Sequence, residues 1–401
     1  MLLVHKYGGT SVGSLERIEN VASRVAKARE TGDDLVIVVS AMSGETNKLI
    51  EYAEHFSTNP SKREMDILLS SGERVTASLL AIALQSKGYD AVAMTGRQAG
   101  IITDDLHTYA RIESIDPTPI KKTIKEGKIV VVAGFQGINK EGNVTTLGRG
   151  GSDLSAVAIA GAIGADACEI YSDVDGIYTT DPRIEPKAKK IDMISYDEML
   201  EMASMGAKVL QNRSVELAKK LDIKLYAKSS FSDNEGTLIT KESNIMEQVL
   251  VSGVVLDKNQ ARVTLRNVSD KPGIAAEIFT KLAHENINVD MIIQNVGIDG
   301  STNLGFTVPQ NDLESAKRVI ESLSHNIGGM DFDQNICKVS VVGVGMKSHA
   351  GVAAKAFETL ASSNINIEMI STSEIKVSMA ISAKYGELAV RLLHEAYGLD
   401  K

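Results

Sequence analysis

Tryptophan is absent from this 401-residue chain, and cysteine occurs only twice. Two thiols, Cys168 and Cys337, far apart in apolar contexts, cannot build a disulfide framework or a zinc site, so both read as buried and reduced. Histidines form no cluster, no Ser-His-Asp arrangement is visible, and the expected metal ligands are none. The chain does not open with a basic flank and a long apolar core, so no signal peptide is expected. The longest strongly apolar run, near Ile129–Phe135, is far too short to span a bilayer. A cytoplasmic protein without a membrane partner is the expectation. Positive charge is also in deficit: the net charge of −9 argues against a broad polyanion-binding surface and a nucleic-acid partner.

Hydrophobic residues reach 43%, and the length suits two or three domains. Through the first 230 or so residues, short apolar runs alternate with helical patterns. The runs are Leu2–Lys6, Leu35–Ser40, Ala91–Thr95, Ile129–Phe135, Cys168–Ser172 and Ile223–Ala227. Several are nearly continuous in β-branched residues, as strands buried on both faces are. Helices are expected over Leu15–Thr31, Met65–Lys87 and Ser152–Ile163, each closed by a glycine. This order predicts an α/β fold with a mostly parallel sheet covered on both sides, and ligands beyond the strands' carboxyl ends. The polar stretch Ser229–Asn244 breaks the pattern and marks a boundary near Thr240–Ile245. An internal repeat follows: Asp270–Ile292 matches Ser348–Ile370 at a constant offset of 78 residues, through Gly273/Gly351 and Asn288/Asn366. Two copies are too few for a solenoid, so two packed modules are expected.

Four polar stretches follow predicted strands or open helices. "KYGGTS" joins Lys6 to Gly8 and Gly9, whose backbone can approach a ligand closely, with Thr10 or Ser11 to cap the next helix. "TTLGRGGSDLSA" offers Ser152 as an N-cap, Asp153 in the first turn, and Arg149, whose guanidinium fork suits a carboxylate or phosphate. "YSDVDGIYTTDPR" is dense in polar groups after a strand, and "VVSAMSGETNKL" supplies Ser40, Thr46 and Asn47. Glu73 in "SSGERV" reads, by itself, as a solvated glutamate on a helix face. Cations and N–H donors with few nucleophiles suit phosphoryl transfer, where an enzyme mainly positions groups and neutralises charge.

These motifs together resemble the aspartokinases, of the amino-acid kinase superfamily, over essentially the whole chain. The resemblance implies a three-layer α/β kinase domain at 1–240 and two βαββαβ regulatory modules of the ACT type. The first would be residues 262–337, inserted into a second made of 246–261 plus 338–401. It implies transfer of the ATP γ-phosphoryl group, with Mg²⁺, to the side-chain carboxylate of L-aspartate. The product would be 4-phospho-L-aspartate, the entry to lysine, threonine and methionine synthesis. By match, Lys6 and Asp153 would be catalytic. Tyr7, Gly8, Gly9, Ser40, Ser172, Asp173, Tyr178, Thr179, Asp181, Pro182, Arg183 and Lys208 would join Lys6 in contacting ATP. Thr46, Asn47, Glu73, Arg149, Gly150, Gly151 and Ser152 would line the aspartate site, with Arg149 on the α-carboxylate and Glu73 on the ammonium. Lysine or threonine, or both, would bind at Asp270, Gly273, Ile274, Ala275, Asn288, Asp290 and Gln294, with Asn366, Ile367 and Glu368 as the pseudo-symmetric counterpart. A homo-oligomer through these modules is implied, as is a shorter regulatory subunit begun at an internal start such as Met246.

Overall fold

The computed structural model describes residues 1–204, 209–242, 250–269, 271–296, 301–323, 327–347 and 351–401. Lys208, Met246 and Asp270, to which roles were attached above, lie outside the described residues. The chain divides into two compact units. The first holds Met1–Ile177, Lys190–Ala203 and the strands Leu225–Ser229 and Thr237–Thr240; the second holds Tyr178–Lys189 and the repeat.

An eight-stranded sheet organises the first unit. Its spatial order is Met193–Ser195, Thr237–Thr240, Leu225–Ser229, Ala167–Ser172, Leu2–Tyr7, Asp34–Val39, Ile129–Ala133, Ala91–Met94. All six apolar runs enter it, and only the pairing of Leu225–Ser229 with Thr237–Thr240 is antiparallel. Every residue of Ile129–Ala133 is buried, as the β-branched run requires of a strand covered on both faces. Leu3, Tyr7, Ile37 and Val131 pack on one face against Ile18, Val21 and Val25 of the helix Leu15–Glu30 and against Leu80 and Leu84. Fully burying side chains such as Leu80 and Leu84 contributes roughly 1.5–3 kcal/mol each. On the other face runs Gly151–Ile163, buried almost throughout.

Three local expectations are corrected. The helix after "KYGGTS" is capped by Ser14, whose Oγ accepts from the Arg17 N–H at 3.3 Å, and not by Thr10 or Ser11. Ser11 is instead buried, its hydroxyl against Ser230 Oγ and the Tyr171 carbonyl. The helix expected over Met65–Lys87 is two, Lys62–Leu69 and Ser71–Ser86. At the break the Ser70 carbonyl accepts from Gln136 Nε2 at 2.9 Å. The path Lys62–Ser86 is long and apolar enough to cross a membrane, but it is half buried and carries Asp66 and Glu73 into the interior, as a core helix does. The third helix starts with Gly150 as N-cap, so Ser152 lies inside the first turn.

In the second unit one six-stranded sheet serves both copies of the repeat, in the order Ile292–Val296, Ser301–Val308, Gly253–Ser269, Ile327–Val342, Lys376–Ser382, Ile367–Thr372. The apolar stretch Gly253–Asp257, before the first copy, is no separate strand. It opens the 17-residue strand Gly253–Ser269, whose first residues pair with Lys338–Val342. Val251 and Val254 accordingly join the core of the second copy, with Val339, Met379 and Val390, while Val263 and Leu265 join that of the first, with Phe306 and Ile320. The repeated glycine and the first asparagine of each Asn-Ile-Asn have a backbone cause. Gly273 and Gly351 cap the helices Ile274–His284 and Val352–Ser362 at φ 103° and 101°, and Asn286 and Asn364 follow them at φ 57° and 55°. Both are left-handed conformations that most side chains resist. Asn364 is exposed, so only its backbone is at stake. Replacing it with valine is expected to cost about 1–2 kcal/mol, and with glycine a few tenths at most, read from urea midpoints at constant m-value.

Candidate active site

The central strand Leu2–Tyr7 lies between Asp34–Val39 and Ala167–Ser172, with Lys6 level with Val38 and Ile170. Alternation along the strand sends Tyr7 into the core, stacked on Tyr171 at 4.8 Å between ring centroids. Tyr7 can therefore offer a ligand only its backbone. Lys6 takes the opposite face, where Gly151–Ile163 brings Asp153 to it. Lys6 Nζ stands 2.5 Å from Asp153 Oδ1, an ion pair out of hydrogen-bond alignment, and both residues are 8% exposed.

The pair sits in a cavity of about 470 Å³ at the carboxyl edge of the sheet. Gly9, Ser40, Thr46, Asn47, Glu73, Arg149, Gly150, Gly151 and Ser152 line it as expected. Gly8 is adjacent, its N–H donated to the Tyr171 carbonyl at 3.0 Å. No partner of the Arg149 guanidinium is seen among the described residues. Gln211 Nε2 fixes the backbone there, donating to the Arg149 carbonyl at 2.7 Å.

Glu73 is not the solvated glutamate that its helical spacing suggested. Gly72 lets the helix Ser71–Ser86 press against Ala41; a Cβ there would fall 2.8 Å from that of Ala41. Glu73 is thereby 4% exposed, its Oε1 accepting from the Ala41 N–H at 3.0 Å while Oε2 is buried without a partner. Burial pushes its pKa up to about 7, against the Ala41 hydrogen bond and the Lys6 charge, which pull it down. An unpartnered buried carboxylate oxygen beside the Lys6–Asp153 ion pair suits a ligand that brings a positive group.

Other expected residues lie elsewhere. Ser172 ends its strand and Asp173 follows it, both outside the cavity lining. Tyr178, Thr179, Asp181, Pro182 and Arg183 belong to the second unit. There Thr179 Oγ1 meets His394 Nε2 at 2.9 Å, its carbonyl accepts from the Val254 N–H at 2.8 Å, and Asp181 pairs with Arg183 at 2.7 Å. Sequence reasoning passed over Thr108, which lines the cavity and which no motif marked.

A second cavity, about 310 Å³, lies in the first copy of the repeat. Gly273, Ile274, Ala275 and Gln294 line it, with Lys271 and Thr302, whose buried hydroxyl lacks a partner. Asn288, Asp290, Asn366, Ile367 and Glu368 are not in its wall. Asp290 pairs with Lys338 and Glu368 with Arg262, crossing from one copy to the other.

Residues 1–229 match the amino acid kinase family, and residues 266–323 and 339–397 match the ACT domain. The chain is 57% identical to an aspartokinase of Helicobacter pylori over 405 aligned residues, covering 100% of both. It is 48% identical to the aspartokinase of Corynebacterium glutamicum, covering 99% of this chain and 96% of that one. Among solved structures, aspartokinase III of E. coli in complex with aspartate and ADP is similar, with a TM-score of 0.81 at 26% identity and 99% of each chain covered. The same enzyme in complex with lysine and aspartate gives 0.80, also at 26% identity.

The raised pKa of Glu73 has a consequence for stability. Its folded value lies above the ordinary 4.5, so the folded protein holds the extra proton between about pH 4.5 and 7, and stability falls as pH rises through that window. Glu73→Gln is expected to match the wild type below pH 4.5 and to exceed it by about 3 kcal/mol at pH 8, in urea titrations at both pH values.

Proposed function

The chain belongs to the aspartokinases of the amino acid kinase family, and on that premise we propose that its first cavity transfers the γ-phosphoryl group of ATP to the side-chain carboxylate of L-aspartate. The product is 4-phospho-L-aspartate, which opens the synthesis of lysine, threonine and methionine. The observation that carries this reading is the Lys6–Asp153 pair facing Glu73 and Arg149 across one cavity. The E. coli enzyme solved with aspartate and ADP supports the choice of ligands.

The attacking carboxylate is ionised at neutral pH, so no strong base is needed. The difficulty is bringing one anion to another. Lys6 and the backbone of Gly8 and Gly9 meet the transferring phosphate, and Asp153 keeps the ammonium aimed. Arg149 takes the α-carboxylate through its two-pronged fork, and the free oxygen of Glu73 takes the amino group. Ser40, Thr46, Asn47 and Ser152 complete the wall. Asp153 and Glu73 are committed to Lys6 and to the Ala41 N–H, which fits a Mg²⁺ that rides on the nucleotide phosphates and not in a protein cage. When bound, Mg²⁺ spreads the charge that develops on the transferring group.

We assign 1–240 to the kinase domain, with Tyr178–Lys189 within it clustering with the second unit. We assign 262–337 to the first ACT module, inserted into a second made of 246–261 and 338–401, a division that the sharing of Gly253–Ser269 between two cores supports. The cavity at Gly273 and Gln294 takes an amino-acid effector, lysine or threonine. Exposed Ile292 and Ile370, at matching places on the two edge strands, suit oligomerisation through this sheet.

An ADP-release assay with aspartate, glutamate and acetylglutamate tests the reading: only aspartate should turn over, and equal rates with glutamate would overturn it. Lys6→Ala and Asp153→Ala are expected to lose about a thousandfold or more in kcat while keeping a cooperative melting transition. The KM for aspartate should rise as pH falls below about 7, where Glu73 takes up its proton, and Glu73→Gln should flatten that profile. With lysine or threonine added, Gln294→Ala should raise the concentration for half-inhibition about tenfold or more.

A further inference from the structure

We propose that Asp66 is a positioning residue for the amino-acid end of the active-site cavity, holding Thr108 in a strained backbone and tying it to Thr146 so that the wall beside Arg149 keeps its shape. The choice of aspartate as the ligand read out below rests on the function proposed above.

Asp66 lies in the helix Lys62–Leu69 and is fully buried. A carboxylate in such a place is tolerated only with a full set of donors. Asp66 Oδ1 accepts from Thr146 Oγ1 at 2.5 Å and from the Thr108 N–H at 3.0 Å; Oδ2 stands 3.2 Å from that N–H and 2.6 Å from His107 Nδ1. Both threonines line the cavity. The carboxylate is thus a clip between two stretches of cavity wall, 41 to 42 and 80 residues away in sequence.

The backbone shows what the clip restrains. Among the described residues, six non-glycine positions have positive φ, and four are Asn or Asp, whose side chains tolerate the left-handed region. The other two, Thr108 at φ 67° and Phe135 at φ 69°, both line this cavity. For a β-branched residue this is a true outlier. Such strain persists only where the surroundings over-determine it, and at Thr108 they include two carboxylate oxygens converging on its N–H.

The position of Thr108 is passed on. The neighbouring Tyr109 ring packs so closely on Gly148 that a Cβ there would lie 2.6 Å from Tyr109 Cδ2. The Arg213 guanidinium covers the same ring at 4.9 Å and donates to the carbonyls of Leu147 and Ala110 at 2.7 and 3.0 Å. From Asp66 through Thr108, Tyr109 and Gly148, the contacts end beside Arg149.

Steady-state kinetics on the full-length protein test the role. Asp66→Asn and Asp66→Ala should raise KM for aspartate about tenfold or more while KM for ATP moves less than about twofold. Adding Thr108→Gly to Asp66→Ala should recover about threefold or more of that loss, since glycine adopts positive φ without penalty. Parallel rises in both KM values, an unchanged aspartate KM, or no recovery with glycine would overturn the proposal. Should the Asp66 variants not fold, Thr146→Val removes one donor at nearly constant shape. It should raise KM for aspartate about threefold with KM for ATP moving less than about twofold, and no rise would overturn the role. A wild-type enzyme inactive on aspartate would sink the functional reading alone. The clip is then read from melting: Thr108→Gly must raise Tm less in the Asp66→Ala background, where the threonine is free to leave the strained region, than in the wild type, and equal shifts defeat it.

Discussion

A buried ammonium facing a buried carboxylate is the constraint around which the first unit is arranged. Lys6 and Asp153 come from a central parallel strand and from the first turn of a helix buried almost throughout, so neither can be moved without the sheet or the core. Removing one partner of such a pair leaves the other uncompensated, at about 3–5 kcal/mol. A chain with a sizeable core can absorb that. The pair is also poised: Asp153 keeps the lysine aimed while its alignment remains open to a better acceptor. Parallel strands then bring the loops at Gly9, Ser40 and Phe135 to the same edge, because each strand ends there.

Around that pair the cavity is held by close approaches and local strain. Gly72 allows the contact that puts the Ala41 N–H on Glu73, and the same contact removes Glu73 from water. One small residue therefore creates both the hydrogen bond and the raised pKa, two opposing effects of which burial is the larger. The left-handed backbones of Phe135 and Thr108 are costs borne at the site and offset outside it. Phe135 donates its N–H to Ser155 Oγ at 3.0 Å, and Thr108 donates to Asp66.

Much of this was legible in the order of residues. Continuous β-branched runs identified six strands of the eight-stranded sheet, because burial on both faces leaves no room for alternation. Glycine-rich turns marked Lys6, Arg149 and Asp153. Legibility failed where the deciding contact is distant. Nothing near Glu73 announces Ala41, and nothing near Asp66 announces Thr146, 80 residues on. Thr179 lies in a motif matched to nucleotide binding, yet its hydroxyl meets His394, 215 residues away. The helix break at Ser70 depends on a glutamine from another strand. Periodicity reports which face is buried and says nothing about which polar group will be waiting there.

The repeat adds a different lesson, since its symmetry is one of backbone and not of charge. The left-handed glycine and asparagine recur because two helices begin and end alike. The acids recur too, Asp290 and Glu368 standing 78 positions apart. Their bases do not: Lys338 answers Asp290, but Arg262 answers Glu368, and the residues matching these bases at the same offset are Gln260 and Ser340. Each copy thus reaches across to the other through its own chemistry. One pair rests on a lysine and the other on an arginine, which also faces Asp331 and Asp333 at 3.8 and 3.7 Å. Two modules with one fold are in this way electrostatically distinct.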